Sequence, residues 1–506
     1  GHYFRALDGQ DMSGIDVVLH QVMPGMADYC TPSSVEGGMA DGEFYHYVLA
    51  QLGASHARQN QRMNGKAMCE VFGAYGWAEG TPLMKWLMDF LLVRGVNHFV
   101  PHAFDDQFPD SDCPPHFYAN GQNPQFSGFT QLMHYVNRAA HLLSGADMEA
   151  SGAILYHAEA AWMDADAMLM QKPAKVCYDA HISYDIVPMD YLKSAETRDG
   201  KFGRGYRYLI VPACKQLSPC FTEIAARLRR AGVPIFFINE APAGVNACPE
   251  ELVPLAQIAS RILAQHLAHD YQTSARLLRI AKFTRDELTV FFLFNESLQT
   301  VQTTLQLPVC GQYIAADFLN EQYVRDEAAQ GEVTVELAAG QSVLLVFGGV
   351  SQEEWLAFPA KQDKLHTQIL DVQWDIDLRE TGREENFRPL RRKSKLFNIT
   401  GLEDEREFSG EIRYRTTINL EKAERMVLNI EHVGMTACLF ANGRDLGQRI
   451  CAPYCWDIAD AVRNGENEIE VLAANTLVQR MQDRLSSYMA IPASGLTGNV
   501  TLSVTQ

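Results

Sequence analysis

The chain has 506 residues, 47% hydrophobic and 21% charged, the composition of a folded protein of three to five domains. Its formal net charge of -19 excludes nucleic acid as a partner, because phosphate backbones need clustered Lys and Arg. No run reaches the roughly 18 uncharged apolar residues of a membrane helix, so no membrane-spanning helix is predicted.

The 11 cysteines are odd in number and show no disulfide framework or zinc spacing. They read as reduced, mostly buried thiols and predict a cytoplasmic protein. No basic segment followed by an apolar core opens the chain, so no signal peptide is predicted.

The first part reads as alternating strands and helices. A turn carrying Asp8, Asp11 and Asp16 leads into a short apolar strand over 15–19. A helix is predicted over 42–52 and a second strand over 66–71. Thr81-Pro82 has the form of an N-cap followed by Pro at the first helical position. Leu83, Met84, Trp86, Leu87, Phe90 and Leu91 then recur at helical spacing up to Gly95. A third strand follows over 96–100, and strand–helix–strand at this spacing predicts a parallel sheet.

The same grammar returns with strands over 153–156, 208–212 and 233–238 and a helix over 221–231. This predicts a doubly wound unit, without the Gly-rich loop of a nucleotide site. A helical connector is expected over 249–269. Beyond it the pattern is strands alone. Those over 287–294, 300–307 and 342–348 predict a small β-sandwich. Those over 426–433, 436–441 and 468–473, with the tight-turn pair Asn442-Gly443, predict a larger one.

Glu70 is the leading catalytic candidate. It ends an apolar strand under the loop Val71-Phe72-Gly73-Ala74-Tyr75-Gly76-Trp77, and strand C-termini are where a βα barrel carries its chemistry. Glycosidic cleavage needs two carboxylates, and the aromatic rings of Tyr75 and Trp77 suit sugar faces. The competing reading of Glu70 is a structural salt bridge at a strand end. His102 ends the next strand and is a candidate for a sugar hydroxyl, against a plain structural histidine. Asp16 and His20 are weaker substrate-binding candidates on the first strand. The acidic loop with Asp105, Asp106, Asp110 and Asp112 leaves calcium open, but it lacks EF-hand spacing. No Gly-x-Ser-x-Gly elbow is present, which disfavours a serine hydrolase.

Taken together, Gly14-Ile15-Asp16, Ser55-His56, Cys69 through Trp77, Lys85-Trp86, Arg94-Gly95-Val96-Asn97 and Pro101-His102 resemble the bacterial α-L-rhamnosidase-type glycoside hydrolases. The resemblance implies that Glu70 is base or nucleophile near the seventh strand of a (β/α)8 barrel. Asn97 and His102 then lie at the eighth, with Tyr75 and Trp77 lining the pocket. It implies four units: 1–148, the C-terminal part of the barrel; 149–272, an amidotransferase-like doubly wound domain; 273–350, a β-sandwich; and 351–506, a galactose-binding-like jelly roll. The last rests on His432-Val433-Gly434, Asn442-Gly443, Leu446-Gly447, Asn467 and Ser494-Gly495-Leu496-Thr497-Gly498.

A whole barrel takes about 250 residues, and roughly 150 precede the doubly wound unit. The expectation is therefore a chain that begins inside the barrel, with its acid partner on an earlier strand outside these residues, which leaves secretion open. The expected function is cleavage of a terminal sugar, rhamnose or galactose, from an oligosaccharide or glycoside, with no cofactor required. The expected partner is a second copy in a homo-oligomer or a separately supplied N-terminal half of the barrel. The alternative is a non-catalytic carbohydrate-binding protein.

Overall fold

The computed structural model describes residues 2–32, 39–164, 166–360, 365–383 and 385–505. The first sheet has three parallel strands in the order β1 (Ser13–Val17), β2 (Ala67–Val71), β3 (His98–Pro101). Helix α1 (Ala50–Gln59), entered through a π-turn at Tyr45–Leu49, connects β1 to β2. Helix α2 (Thr81–Leu92) connects β2 to β3, and α3 (Phe126–Leu143) follows.

Strand periodicity divides this sheet into two faces. Ile15, Val17, Cys69 and Val71 are buried in one core with Leu87, Phe90 and Leu91 of α2. Gly14, Asp16, Met68 and Glu70 have the opposite parity and are exposed or half-buried. No helix layer of the described residues turns this second face into a core. The expected partial barrel is thus an open three-stranded sheet, because closure of such a barrel takes eight strands.

One helix start differs from expectation. The cap position of α2 is Gly80, and Thr81 is the first helical residue, with no side-chain cap. The Thr81 hydroxyl donates to the carbonyl of Ile450 at 2.9 Å instead. A Cβ at Gly80 would lie 2.1 Å from the Met435 sulfur, so a larger residue would displace the Met435 side chain where the helix meets the C-terminal sheets.

The second sheet is also parallel, in the order β8 (Leu252–Val253), β7 (Ile235–Ile238), β6 (Leu209–Val211), β4 (Gly152–Tyr156), β5 (Tyr184–Pro188). Strands β4 and β7 are buried on both faces, which is why they read as continuous apolar runs. Helix α4 (Cys220–Arg230) covers one face through Phe221, Ile224 and Leu228. The other face packs on Ile258, Ile262 and, from the first unit, Tyr47, Val48 and Leu52. The connector expected over 249–269 holds both β8 and a short helix, Ile258–Ala264.

The remaining sheets are antiparallel. Five strands between Leu278 and Phe347 form a six-stranded sheet whose edge is completed by Asp147–Met148, residues the sequence groups with the first unit, and Val301–Gln306 pairs with Glu332–Leu337 in a separate two-stranded sheet. Strands from His366 to Val504 form a four-stranded and a six-stranded sheet around Trp374, Tyr414 and Trp456. Asn442 and Gly443 both have positive φ, 51° and 80°, as a tight hairpin turn requires. No helix of the described residues is long and apolar enough to cross a membrane.

Candidate functional site

The open face of the first sheet brings two carboxylates together. In register, Glu70 of β2 has Asp16 of β1 on one side and Val100 of β3 on the other. Neighbouring strands lie roughly 4.8 Å apart, so Asp16 and Glu70 are adjacent on one face near the C-terminal edge. Among the described residues neither carboxylate has an ion pair or a side-chain hydrogen bond. The salt-bridge reading of Glu70 thus finds no partner there.

His102 follows β3 at the same edge. Its backbone N–H donates to the Val71 carbonyl at 2.9 Å. Its ring packs over Gly73, where a Cβ would lie 3.3 Å from it. Its Nε2 is 3.2 Å from Asp112 Oδ2.

His20 is half-buried, donates from Nε2 to the Tyr75 carbonyl at 3.0 Å, and packs against the rings of Tyr75 and Tyr488. Burial holds its pKa below the usual imidazole value.

The other candidates are elsewhere. Tyr75 is fully buried, and its hydroxyl donates to the Val22 carbonyl at 2.8 Å. Trp77 is also buried, its backbone N–H donating to Asp483 Oδ2 at 3.1 Å and its ring packed on His116 and Phe108. Both rings build the loop's foundation and offer no open platform to a sugar.

Asn97 lies at the opposite, N-terminal end of the strands. Its amide donates to the Gly65 carbonyl at 3.0 Å and accepts from the Ala67 N–H at 3.1 Å. It fixes the start of β2 and is remote from Glu70 along the strand.

What sequence reasoning undervalued is Asp16. The acid partner was expected outside these residues, yet the nearest carboxylate in register with Glu70 is two strand positions after Gly14. The signal was available: Asp16 has the polar parity of an otherwise apolar strand, the same parity as Glu70.

Missed outright is Glu79. It is buried, both carboxylate oxygens lack hydrogen bonds, and burial raises its pKa well above the usual carboxylate range.

No family model matches the chain, and no curated protein matches it. Among solved structures, a rhamnosidase from Novosphingobium sp. PP1Y superposes with a TM-score of 0.69 at 16% identity, over 99% of this chain and 52% of that one. The chain has the fold of that rhamnosidase. It spans about half of the rhamnosidase's length. A GH42 β-galactosidase from G. stearothermophilus gives a TM-score of 0.47 at 9% identity, over 68% of this chain and 60% of that one. A β-galactosidase from Bacillus circulans sp. alkalophilus gives 0.40 at 9% identity, over 60% and 68%. Those two likenesses are too loose to argue from.

Proposed function

We propose that the chain belongs to a glycoside hydrolase that cleaves a terminal sugar, α-L-rhamnose or β-galactose, with Glu70 as base or nucleophile and Asp16 as the second carboxylate. The observation that carries this reading is the shared register of Asp16 and Glu70 on an open sheet face, both without competing partners among the described residues. Glycosidic cleavage takes two carboxyl groups about 5–9.5 Å apart, one delivering a proton to the leaving oxygen and the other attacking or activating water. Adjacent parallel strands suit the short end of that range. His102, at the same edge, is suited to a sugar hydroxyl. The four-unit order and the jelly-roll reading of the C-terminal sheets belong to the same proposal, as does an oligosaccharide or glycoside as binding partner.

The test is turnover of aryl α-L-rhamnosides and aryl β-galactosides by the parent chain and by Glu70→Gln. Undiminished turnover in the variant removes Glu70 from the mechanism.

A second reading, carbohydrate binding without turnover, is favoured by one observation: the three-stranded sheet does not close. It predicts sugar binding by the parent with no release of aryl alcohol.

A further inference from the structure

The loop that leaves β3 and returns before α3 carries a cluster that the glycosidase reading does not use. Its base is clamped: the Ala103 N–H donates to the Pro115 carbonyl at 3.1 Å, and the Phe117 N–H to the Ala103 carbonyl at 3.0 Å. Within it, Asp105, Asp110 and His116 each direct one ligand atom into a space where those atoms lie within 4.8 Å of one another. We propose that this loop binds a divalent transition-metal ion of the zinc class through Asp105, Asp110 and the Nδ1 of His116.

The imidazole carries the argument. The His116 side chain is 2% exposed, and its Nδ1 is buried without a hydrogen bond. Its other nitrogen, Nε2, lies 3.3 Å from the Asp112 carbonyl. A carbonyl only accepts, so the neutral ring holds its proton on Nε2 and turns the Nδ1 lone pair inward. Metal-bound histidines are oriented in this way, by a backbone acceptor on the far nitrogen.

That lone pair faces a second acceptor, Asp105 Oδ2, at 3.4 Å. Two acceptors in that position repel each other unless a metal ion or a proton lies between them. Tetrahedral zinc ligands at about 2.0–2.1 Å from the ion stand about 3.3–3.4 Å apart, which matches.

The carboxylates are pre-shaped for the same task. Asp105 Oδ1 accepts from the Gln107 N–H at 2.7 Å, and Asp110 Oδ1 from the Asp112 N–H at 2.6 Å. Asp105 thereby keeps Oδ2 for the side facing His116 Nδ1. One nitrogen and two oxygens suit zinc, manganese or iron better than calcium, which takes six to eight oxygen ligands. Three protein ligands leave a position for water. The ion would brace the loop that begins at His102, along the edge that carries Glu70.

The rival is a plain ion pair, with His116 charged against Asp105 and no metal.

The experiment is titration of the chelator-treated full chain with Co2+, read by absorbance, with Zn2+ as competitor. The expected result is one Co2+ per chain, displaced by Zn2+, with weak d–d bands only. Asp105→Asn and Asp110→Asn should each lower Co2+ affinity by more than roughly 100-fold, beyond what loss of a supporting hydrogen bond costs. Asp110 is only half-buried, so its variant reports on binding without unfolding, which circular dichroism checks. Cys113→Ser should leave the binding unchanged.

Absence of stoichiometric uptake, parental affinity in both Asp variants, or preference for Ca2+ over Co2+ would overturn the proposal. So would an intense thiolate-to-cobalt band lost with Cys113→Ser, which would move the ion to the neighbouring triad His102, Asp112 and Cys113.

Discussion

Asp16 and Glu70 are register partners across two parallel strands, on the face of the sheet that its helices leave open. A slip of one residue in either strand would turn that strand's carboxylate into the helix-packed core, where an unpaired charge is not tolerated. The burial of Ile15, Val17, Cys69 and Val71 on the other face therefore holds both carboxylates in place.

From this follows an expected split between stability and activity. Glu70→Gln and Asp16→Asn remove no partnered charge, so each should leave unfolding free energy within about 0.5 kcal/mol of the parent. On the best aryl glycoside each should lower kcat by roughly 10²–10⁴, the scale of a positioned acid or base. Denaturant unfolding and initial-rate assays on the same preparations check both halves.

Glu296 joins α2 to the antiparallel sheet. Arg94, just past the helix, donates to its Oε1 at 2.7 Å, Arg279 donates to its Oε2, and all three side chains are buried. Burial alone would raise the Glu296 carboxyl, but Arg279 and Arg94 outweigh it and hold the pKa at about 2. A depressed carboxylate contributes stability that is present above the unfolded value of 4.5 and is lost as pH falls toward about 2. Glu296→Gln leaves two buried guanidinium groups short of a counter-charge and should cost about 3–5 kcal/mol at pH 7. The deficit should shrink in unfolding curves recorded between pH 4.5 and pH 2.

Glu79 has the opposite sign. Its pKa is raised by burial, so its contribution is fully present below the unfolded value of 4.5 and declines as pH rises toward the folded value. Glu79→Gln keeps the shape and removes the titration. The variant should melt above the parent at pH 8, and the two Tm values should converge below pH 4.5. A gap independent of pH would show that charge is not the cause.

Gly76 is where the loop after β2 meets the C-terminal segment. Its φ is +89°, and a Cβ would lie 2.6 Å from the backbone N and Oγ of Ser486. Next to it, Trp77 and Ala78 donate their N–H groups to Asp483 and Ser486 at 3.1 and 2.8 Å. Gly76→Ala should destabilise by about 1–3 kcal/mol through strain and overpacking. Limited proteolysis should then cut near Asp483–Ser486 faster than in the parent.

Local chemistry was legible where a few neighbouring residues decide the outcome. Asn442-Gly443 makes the turn its positive φ values allow, and the apolar spacing of α2 yields a buried helix. Strands β4 and β7 read correctly because both faces are apolar. β5 was not legible, because Tyr184–Pro188 contains Asp185, a charge that argues against a core strand. The structure satisfies that charge with groups far away in sequence: Ser55 at 3.0 Å, Tyr206 at 2.6 Å, and the Arg58 guanidinium. Thr81 misled for the same reason, since the acceptor its hydroxyl finds is Ile450, 369 positions away.

For the candidate site, the sequence by itself determined that Glu70 stands at the end of an apolar strand and that Asp16 shares its parity, because side-chain alternation is a property of each strand alone. Only the tertiary structure decided that the two are neighbours, that Tyr75 and Trp77 turn inward, and that Asn97 lies at the far end. Strand order, register and the packing of the C-terminal segment on the loop are set by contacts between residues distant in the chain, which no local pattern records.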